Sequence, residues 1–269
     1  MTTPNSAVEV YYPESDGQPM AETDLHRDWM FRIIELLRQR YRGKQVYISG
    51  NLFLYYHDGS PHRSVSPDAM VVKGIDPRSR RIYKVWEEGK VPDVVFETTS
   101  DSTKNNDTET KFQLYAQLGI PEHFLFDPTS DYLNPPVRGY RLSMGGYLEI
   151  LPDTNGRLSC EQLDLWVELN ADNELVLRDR PTGAVLLTNA EAAFETAVRT
   201  AAERDNVAAQ LETAEVRRLT AEERYHVAED RRQLAEERYA IAEERRQLAE
   251  ERIRNLEAEI ARLRSNPAD

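Results

Sequence analysis

The sequence predicts a mixed α/β sandwich that leads into a long, charged helix. Three observations carry that reading. Helical and strand-like periodicities alternate up to about Thr188. Two short apolar runs, Met70-Val71-Val72 and Val94-Val95-Phe96, have the continuous character of strands buried on both faces. From about Asn189 glycine disappears, proline is absent until Pro267, and a 14-residue unit repeats.

The first element is a helix over residues 24–41. Leu25, Trp29, Ile33, Leu36 and Leu37 recur at helical spacing, Asp24 is placed to cap the start, and Gly43 stops the run. Residues 45–56, rich in Val, Tyr, Ile and Phe, read as one strand. The runs at 70–72 and 94–96 follow as strand cores. Residues 107–118 form a helix ended by Gly119 and Pro121. Residues 123–126 are another strand, closed by Asp127-Pro128. Two hairpin arms, 137–142 and 147–151, flank Met144-Gly145-Gly146, and residues 174–177 precede a turn at Pro181-Thr182-Gly183. The expected organisation is a loosely ordered start at 1–23, a globular unit over 24–188, and a helical tail over 189–269.

Composition narrows the classes of function. With one cysteine, Cys160, no disulfide framework exists and a zinc ribbon is excluded. No basic-then-apolar leader opens the chain and no apolar stretch reaches the roughly 18 residues of a membrane span, so a cytoplasmic protein is expected. The net charge is −13. Residues 217–264 hold 12 arginines and 12 acids, which cancel, so the acidic excess lies elsewhere, the globular unit included. That balance opposes tight, non-specific duplex binding by an isolated monomer, and no basic patch interleaved with aromatics stands out.

The tail has coiled-coil spacing. One seam runs Ala221, Tyr225, Ala228, Arg232, Ala235, Tyr239, Ala242, Arg246, Ala249, Ile253, Leu256, Ile260, Leu263, in alternating steps of four and three. Alanines bury little and two arginines interrupt the seam, so its strength lies in the last four positions. Opposite charges three or four apart, such as Glu229 with Arg232, also support a solvated single helix. Association is the preferred reading.

The chemistry-bearing residues are Asp68, Glu97 and Lys111. Asp68 and Glu97 sit at the ends of separate apolar strand cores, where register can bring them to one divalent cation. Carboxylates suit Mg2+, a hard ion that keeps several waters. Asp93 shares a strand with Glu97 but lies about 13 Å along it, too far to share an ion, and reads as a strand-entry residue. Lys111, Leu114, Tyr115 and Leu118 fall on one helix face, so the lysine points towards the sheet. A carboxylate inside Val94-Val95-Phe96-Glu97 is costly to bury unpaired. Lys111 can also serve Glu97 merely as a structural ion-pair partner, and an Asp after Pro67 can be turn chemistry.

The run Pro92-Asp93-Val94-Val95-Phe96-Glu97-Thr98-Thr99-Ser100-Asp101-Ser102-Thr103, then Lys111-Phe112-Gln113-Leu114-Tyr115-Ala116-Gln117-Leu118-Gly119-Ile120-Pro121-Glu122-His123-Phe124-Leu125-Phe126-Asp127-Pro128, resembles the Uma-type endonuclease family. That family is a branch of the PD-(D/E)XK restriction-endonuclease-like superfamily. The resemblance covers about residues 24–188, including Ser66-Pro67-Asp68 and the helix bearing His26, and leaves the arginine-rich tail outside. It implies a restriction-endonuclease-like mixed sheet flanked by helices. It also implies Asp68 and Glu97 as ligands of Mg2+ (or Mn2+) and Lys111 as the motif lysine, moved from strand to helix. The superfamily's usual lysine position is held here by Thr99.

Together these readings point to a metal-dependent endonuclease cutting phosphodiester bonds, most naturally in DNA. The alternative is a catalytically silent scaffold whose helix mediates oligomerisation or partner binding. His26 is placed either near the site or as a plain helix-surface residue, and Asp24 as a cap rather than a ligand. The expected partners are nucleic acid and a second copy of the chain through the tail, with no membrane. Residues 190–269 are expected to sediment as an assembled species at tens of micromolar; a monomer there ends the association reading.

Overall fold

The structure, a computed structural model, describes residues 10–15, 17, 23–100, 103 and 105–265. Most of the stretch expected to be loosely ordered, and Asp101 and Ser102 of the motif run, lie outside the described residues, as does the side chain of Leu263 at the end of the tail seam. The mixed sheet flanked by helices, with a long C-terminal helix, is as the sequence predicts.

Helix α1 spans Asp24–Arg40. Its cap is Thr23, not Asp24: the Thr23 hydroxyl accepts from the His26 amide at 3.2 Å. Asp24 instead takes the first helical turn and pairs with Arg27 at 2.8 Å. The expected single strand over 45–56 is two strands, β1 (Val46–Ser49) and β2 (Leu54–Tyr55), in different sheets. The chain breaks direction at Gly50 and at Asn51, whose φ is +48°. There follow β3 (Ser64–Val65), β4 (Ala69–Lys73), β5 (Tyr83–Lys84), the short helix α2 (Val85–Glu88) and β6 (Val94–Thr98). A π-helical turn over Asn106–Lys111 runs into α3 (Phe112–Leu118). Then come β7 (Glu122–Phe126), β8 (Val137–Ser143), β9 (Gly146–Glu149), β10 (Leu158–Cys160), β11 (Leu165–Leu169), β12 (Leu175–Asp179) and α4 (Asn189–Ser265).

The central sheet has six strands in the order β1-β4-β6-β7-β8-β9. β6 and β7 are parallel and the other pairs antiparallel. A parallel pair needs a crossover, and the π-turn with α3 supplies it. Every residue of β6 and β7 is buried, because these strands are covered on both faces. On one face Ile33 and Leu37 of α1 meet Val94, Phe96, Phe124 and the sheet β10-β11-β12, whose Leu165, Val167 and Leu177 complete that core. On the other face Met70, Val72 and Val95 pack with Tyr115 and Ile120, and with Leu54 and Tyr83 of the small sheet β3-β2-β5.

The globular unit runs to Glu195, taking in the first residues of α4. Thr188 and Glu191 cap that helix reciprocally: the Thr188 amide donates to the Glu191 carboxylate at 2.8 Å and the Glu191 amide to the Thr188 hydroxyl at 3.3 Å. Beyond Glu195 the helix forms its own unit, and its apolar residues, Leu234, Ile241, Leu248 and Ile253 among them, are exposed. Among the described residues no helix is long and apolar enough to cross a membrane.

Gly50 marks where β1 comes nearest to Asp68. A Cβ there would stand 1.8 Å from the Asp68 carbonyl oxygen and 2.8 Å from Ile34 Cδ1. Backbone cannot move aside cheaply, so Gly50→Ala is expected to cost at least the ~1–3 kcal/mol of an overpacked core. Urea denaturation with an unchanged midpoint would contradict this.

Candidate functional site

The antiparallel register of β4 on β6 pairs Ala69 with Phe96, Met70 with Val95 and Val71 with Val94. One step further sets Asp68 opposite Glu97, on the face that carries Met70 and Val95. The Asp68 amide lies 3.4 Å from Glu97 Oε2. Asp93 is at the other end of the same strand. There its carboxylate accepts from the Lys73 amide at 2.7 Å and pairs with Lys90 at 2.9 Å. Register thus separates the two Pro-Asp pairs, and Asp93 is a strand-entry residue.

Glu97 is fully buried and its two oxygens are held by two residues of the crossover. Lys111 Nζ donates to Oε2 at 2.7 Å, and the Tyr115 hydroxyl to Oε1 at 2.6 Å. Lys111 also pairs with Asp107 at 3.1 Å, four residues earlier. Both side chains are buried in the π-turn, a local widening of the helix of the kind that recurs at functional sites. The regular helix expected over 107–118 would hold the same pair on one face; the structure instead starts α3 only at Phe112. The sequence places Tyr115 on the Lys111 face but gives neither it nor Asp107 a role, although the i,i+4 relation of both to Lys111 is there to be read.

His26 belongs to the site. It is 2 % exposed, and its Nε2 lies 2.9 Å from Asp68 Oδ2, which also accepts from the Thr98 amide at 2.7 Å. The first turn of α1 is therefore an element of the site rather than a surface. Thr99, at the superfamily's lysine position, is buried, and its hydroxyl has no hydrogen-bond partner among the described residues. The structure thus gathers Asp68, Glu97 and Lys111 in one polar cluster, with His26, Asp107 and Tyr115 around them. Of the other histidines, His123 is buried among Phe112, Tyr115, Tyr140 and Tyr147, and burial pushes its imidazole down to about 3. It is a neutral aromatic-like core residue at working pH.

Burial dominates the electrostatics. It pushes the Glu97 carboxyl up to about 8; Lys111 opposes the shift, while Asp68 and Asp107 add to it. Burial raises Asp107 as well, again against Lys111. Burial by itself would discharge Lys111, but the Glu97, Asp107 and Asp68 carboxylates outweigh it and hold the ammonium above its ordinary value. The Tyr115 hydroxyl is driven far up by burial and by the carboxyl beside it. Three carboxyl groups thus surround one ammonium, an excess of acid in a dry place where burial favours the protonated form.

That excess and the all-oxygen donor set suit a hard divalent cation. The arrangement as it stands does not present one with ligands. Both Glu97 oxygens already accept hydrogen bonds, and among the described residues no three His, Cys, Asp or Glu side chains are grouped to hold a metal ion. Lys111 occupies the acceptor that a cation shared with Asp68 would need.

Residues 4–172 match the model of the Uma2 family, described as "Putative restriction endonuclease". Among solved structures, the chain is similar to a putative nuclease belonging to DUF820 from Anabaena variabilis. The identity is 15 % and the TM-score 0.41, over 54 % of this chain and 76 % of that one. No curated protein matches the chain.

The raised Glu97 carboxyl sets a pH dependence. The unfolded chain releases this proton near the ordinary carboxylate value, whereas the folded chain keeps it to about 8. Between those values the folded state binds more protons, so stability falls as pH rises. The stability gap between the wild type and Glu97→Gln is expected to shift by a few kcal/mol between about pH 5 and pH 8, with the wild type losing ground. A gap that stays constant over that range would remove the assignment.

Proposed function

Since the chain belongs to the Uma2 family of putative restriction endonucleases, we propose that its globular unit is a nuclease-fold module with Asp68, Glu97 and Lys111 in a closed, ion-paired form, and that α4 joins it to a second copy. The observation that carries this reading is the state of Glu97. Lys111 and Tyr115 occupy its two oxygens, and no three-ligand cluster stands ready beside them among the described residues. The apolar residues along α4 support the second half, since Ile253, Leu256 and Ile260 fall at coiled-coil spacing and are exposed.

A second reading, metal-dependent hydrolysis of phosphodiester bonds in DNA, draws on the excess of acid. Three buried carboxyl groups beside one lysine, with burial favouring the proton on Glu97, are an arrangement in which a Mg2+ or Mn2+ ion would take that proton's place. Asp68 and Glu97 are the residues to hold it. When bound, such an ion supplies an acidified water and neutralises the leaving oxygen. Lys111, released from Glu97, would donate to a phosphate oxygen as negative charge grows there. His26 fixes Asp68 through Oδ2, and Tyr115 fixes Glu97 through Oε1, so both act as positioning residues.

Calorimetric titration of Mn2+ into the purified chain, paired with a nicking assay on DNA and RNA, divides the two readings. The closed module is expected to give no heat of specific binding and no cleavage. Mn2+ binding abolished by Glu97→Ala, with nicking lost in Asp68→Ala and Glu97→Ala, would establish the hydrolase instead.

A further inference from the structure

Most described cations of the globular unit face a carboxylate, with Arg63, Lys73 and Arg138 as scattered exceptions. Arg27, Arg32, Arg40, Arg78, Arg80, Arg141, Arg157 and Arg178 all do. In a chain of net charge −13 that pattern is expected. Three neighbours at the end of α1 break it. Arg38 donates twice to the Ile48 carbonyl, at 3.2 and 3.1 Å. Arg42 donates to the amide oxygens of Gln39 and Asn189, at 2.6 and 2.8 Å. Lys44 Nζ lies 5.4 Å from the centre of the Tyr41 ring. Each of these partners is neutral, so three full positive charges stand uncompensated within seven residues. The nearest acid on the helix, Glu35, accepts from the Asn189 amide.

These three line one concave cleft of about 590 Å3, together with Tyr41, Tyr47 and Arg80. None of its thirteen lining residues is acidic. Arg80 is neutralised by Glu88 and lies 4.3 Å over the Tyr47 ring, where it forms a wall rather than a free charge. The cleft follows β1, the edge strand of the central sheet, whose outer side has no pairing strand among the described residues. Ser49, at the far end of the cleft, precedes Gly50, where an added Cβ would meet the Asp68 carbonyl oxygen. β1 from Val46 to Ser49 gives the cleft one extended wall of three steps, roughly 10 Å, a length on the order of a few phosphates of a nucleic-acid strand.

We propose that the cleft between the end of α1 and the outer edge of β1 binds the phosphate backbone of a nucleic-acid strand on Arg38, Arg42 and Lys44. Cationic side chains tracking a backbone beside aromatic rings are the common elements of sequence-tolerant strand binding. The proposal holds for either reading of the Asp68–Glu97 cluster, because backbone binding requires no cleavage.

Fluorescence anisotropy of labelled single-stranded and duplex oligonucleotides, titrated with the full chain in EDTA over a salt series, tests it. Binding is expected to weaken with salt. The R42Q/K44Q double variant is expected to lower the slope of log K against log salt by about two, and R42E/K44E to lose at least about tenfold in affinity at low salt. Arg63→Gln, an exposed arginine outside the cleft, should bind as the wild type does. Unchanged affinity and slope in R42Q/K44Q, with its melting temperature retained, overturns the proposal. So does complete competition by inorganic phosphate at matched ionic strength, which would make the cleft a pocket for single anions. The metal-free binding assay separates this failure from that of the catalytic reading: a chain that binds through the cleft yet never cleaves loses only the hydrolase.

Discussion

A fully buried carboxylate organises the rest of this structure. Glu97 ends a strand that is otherwise apolar and covered on both faces, where an unpaired charge would cost far more than a surface ion pair returns. Lys111 and Tyr115 answer it from the crossover that links β6 to β7. The parallel pairing of those strands brings the crossover onto the Glu97 face, and the π-turn buries Asp107 and Lys111 together beside it. Asp68 is tied in by register and oriented by His26 and the Thr98 amide. A carboxylate, a lysine, a tyrosine and a second carboxylate therefore depend on one another, and removing any one leaves a buried charge or dipole without its partner.

The same cluster explains why one arrangement of residues sustains two functional readings. Lys111 answers the excess of acid in part, and it does so at the acceptor that a divalent ion would require. A lysine so placed is a structural counterion to Glu97. Family membership fixes the fold that holds these residues, and fold alone does not set their chemistry.

Charge is distributed in three separate ways along this chain. In the helix beyond Glu195, arginines and glutamates alternate at spacings that pair within the helix, as Arg232 and Arg246 do with acids three and four residues away. In the globular unit most cations are matched to carboxylates across strands and loops. At the junction of α1 and β1 they are not, and there the positive charges are presented by a concave edge. An acidic chain can meet a polyanion only through such a local exception, because over short distances the field of neighbouring charges matters more than the total.

The sequence by itself determined most of the elements and pointed to three members of the polar cluster. The strand cores at 70–72 and 94–96, the helix ending at Gly119 and the unbroken tail helix follow from periodicity and from where glycine and proline fall. Glu97 followed from the cost of a carboxylate in an apolar run, and Lys111 from its place on an apolar stripe. Strand spacing already set Asp93 aside, but only tertiary structure put Asp68 beside Glu97, since a register is a relation between strands that neither strand contains. It decided that His26 is a site residue and Thr23 the cap, because burial of the first turn of α1 depends on what packs over it. It split residues 45–56 into two sheets at Gly50, where Asp68 leaves no room for a side chain. And it turned the ordinary-looking run Arg38-Gln39-Arg40-Tyr41-Arg42-Gly43-Lys44 into an uncompensated basic cleft. Of its cations only Arg40 finds a carboxylate, Asp179, from a strand far along the chain; pairing of charge is settled by three-dimensional proximity, which linear spacing does not encode.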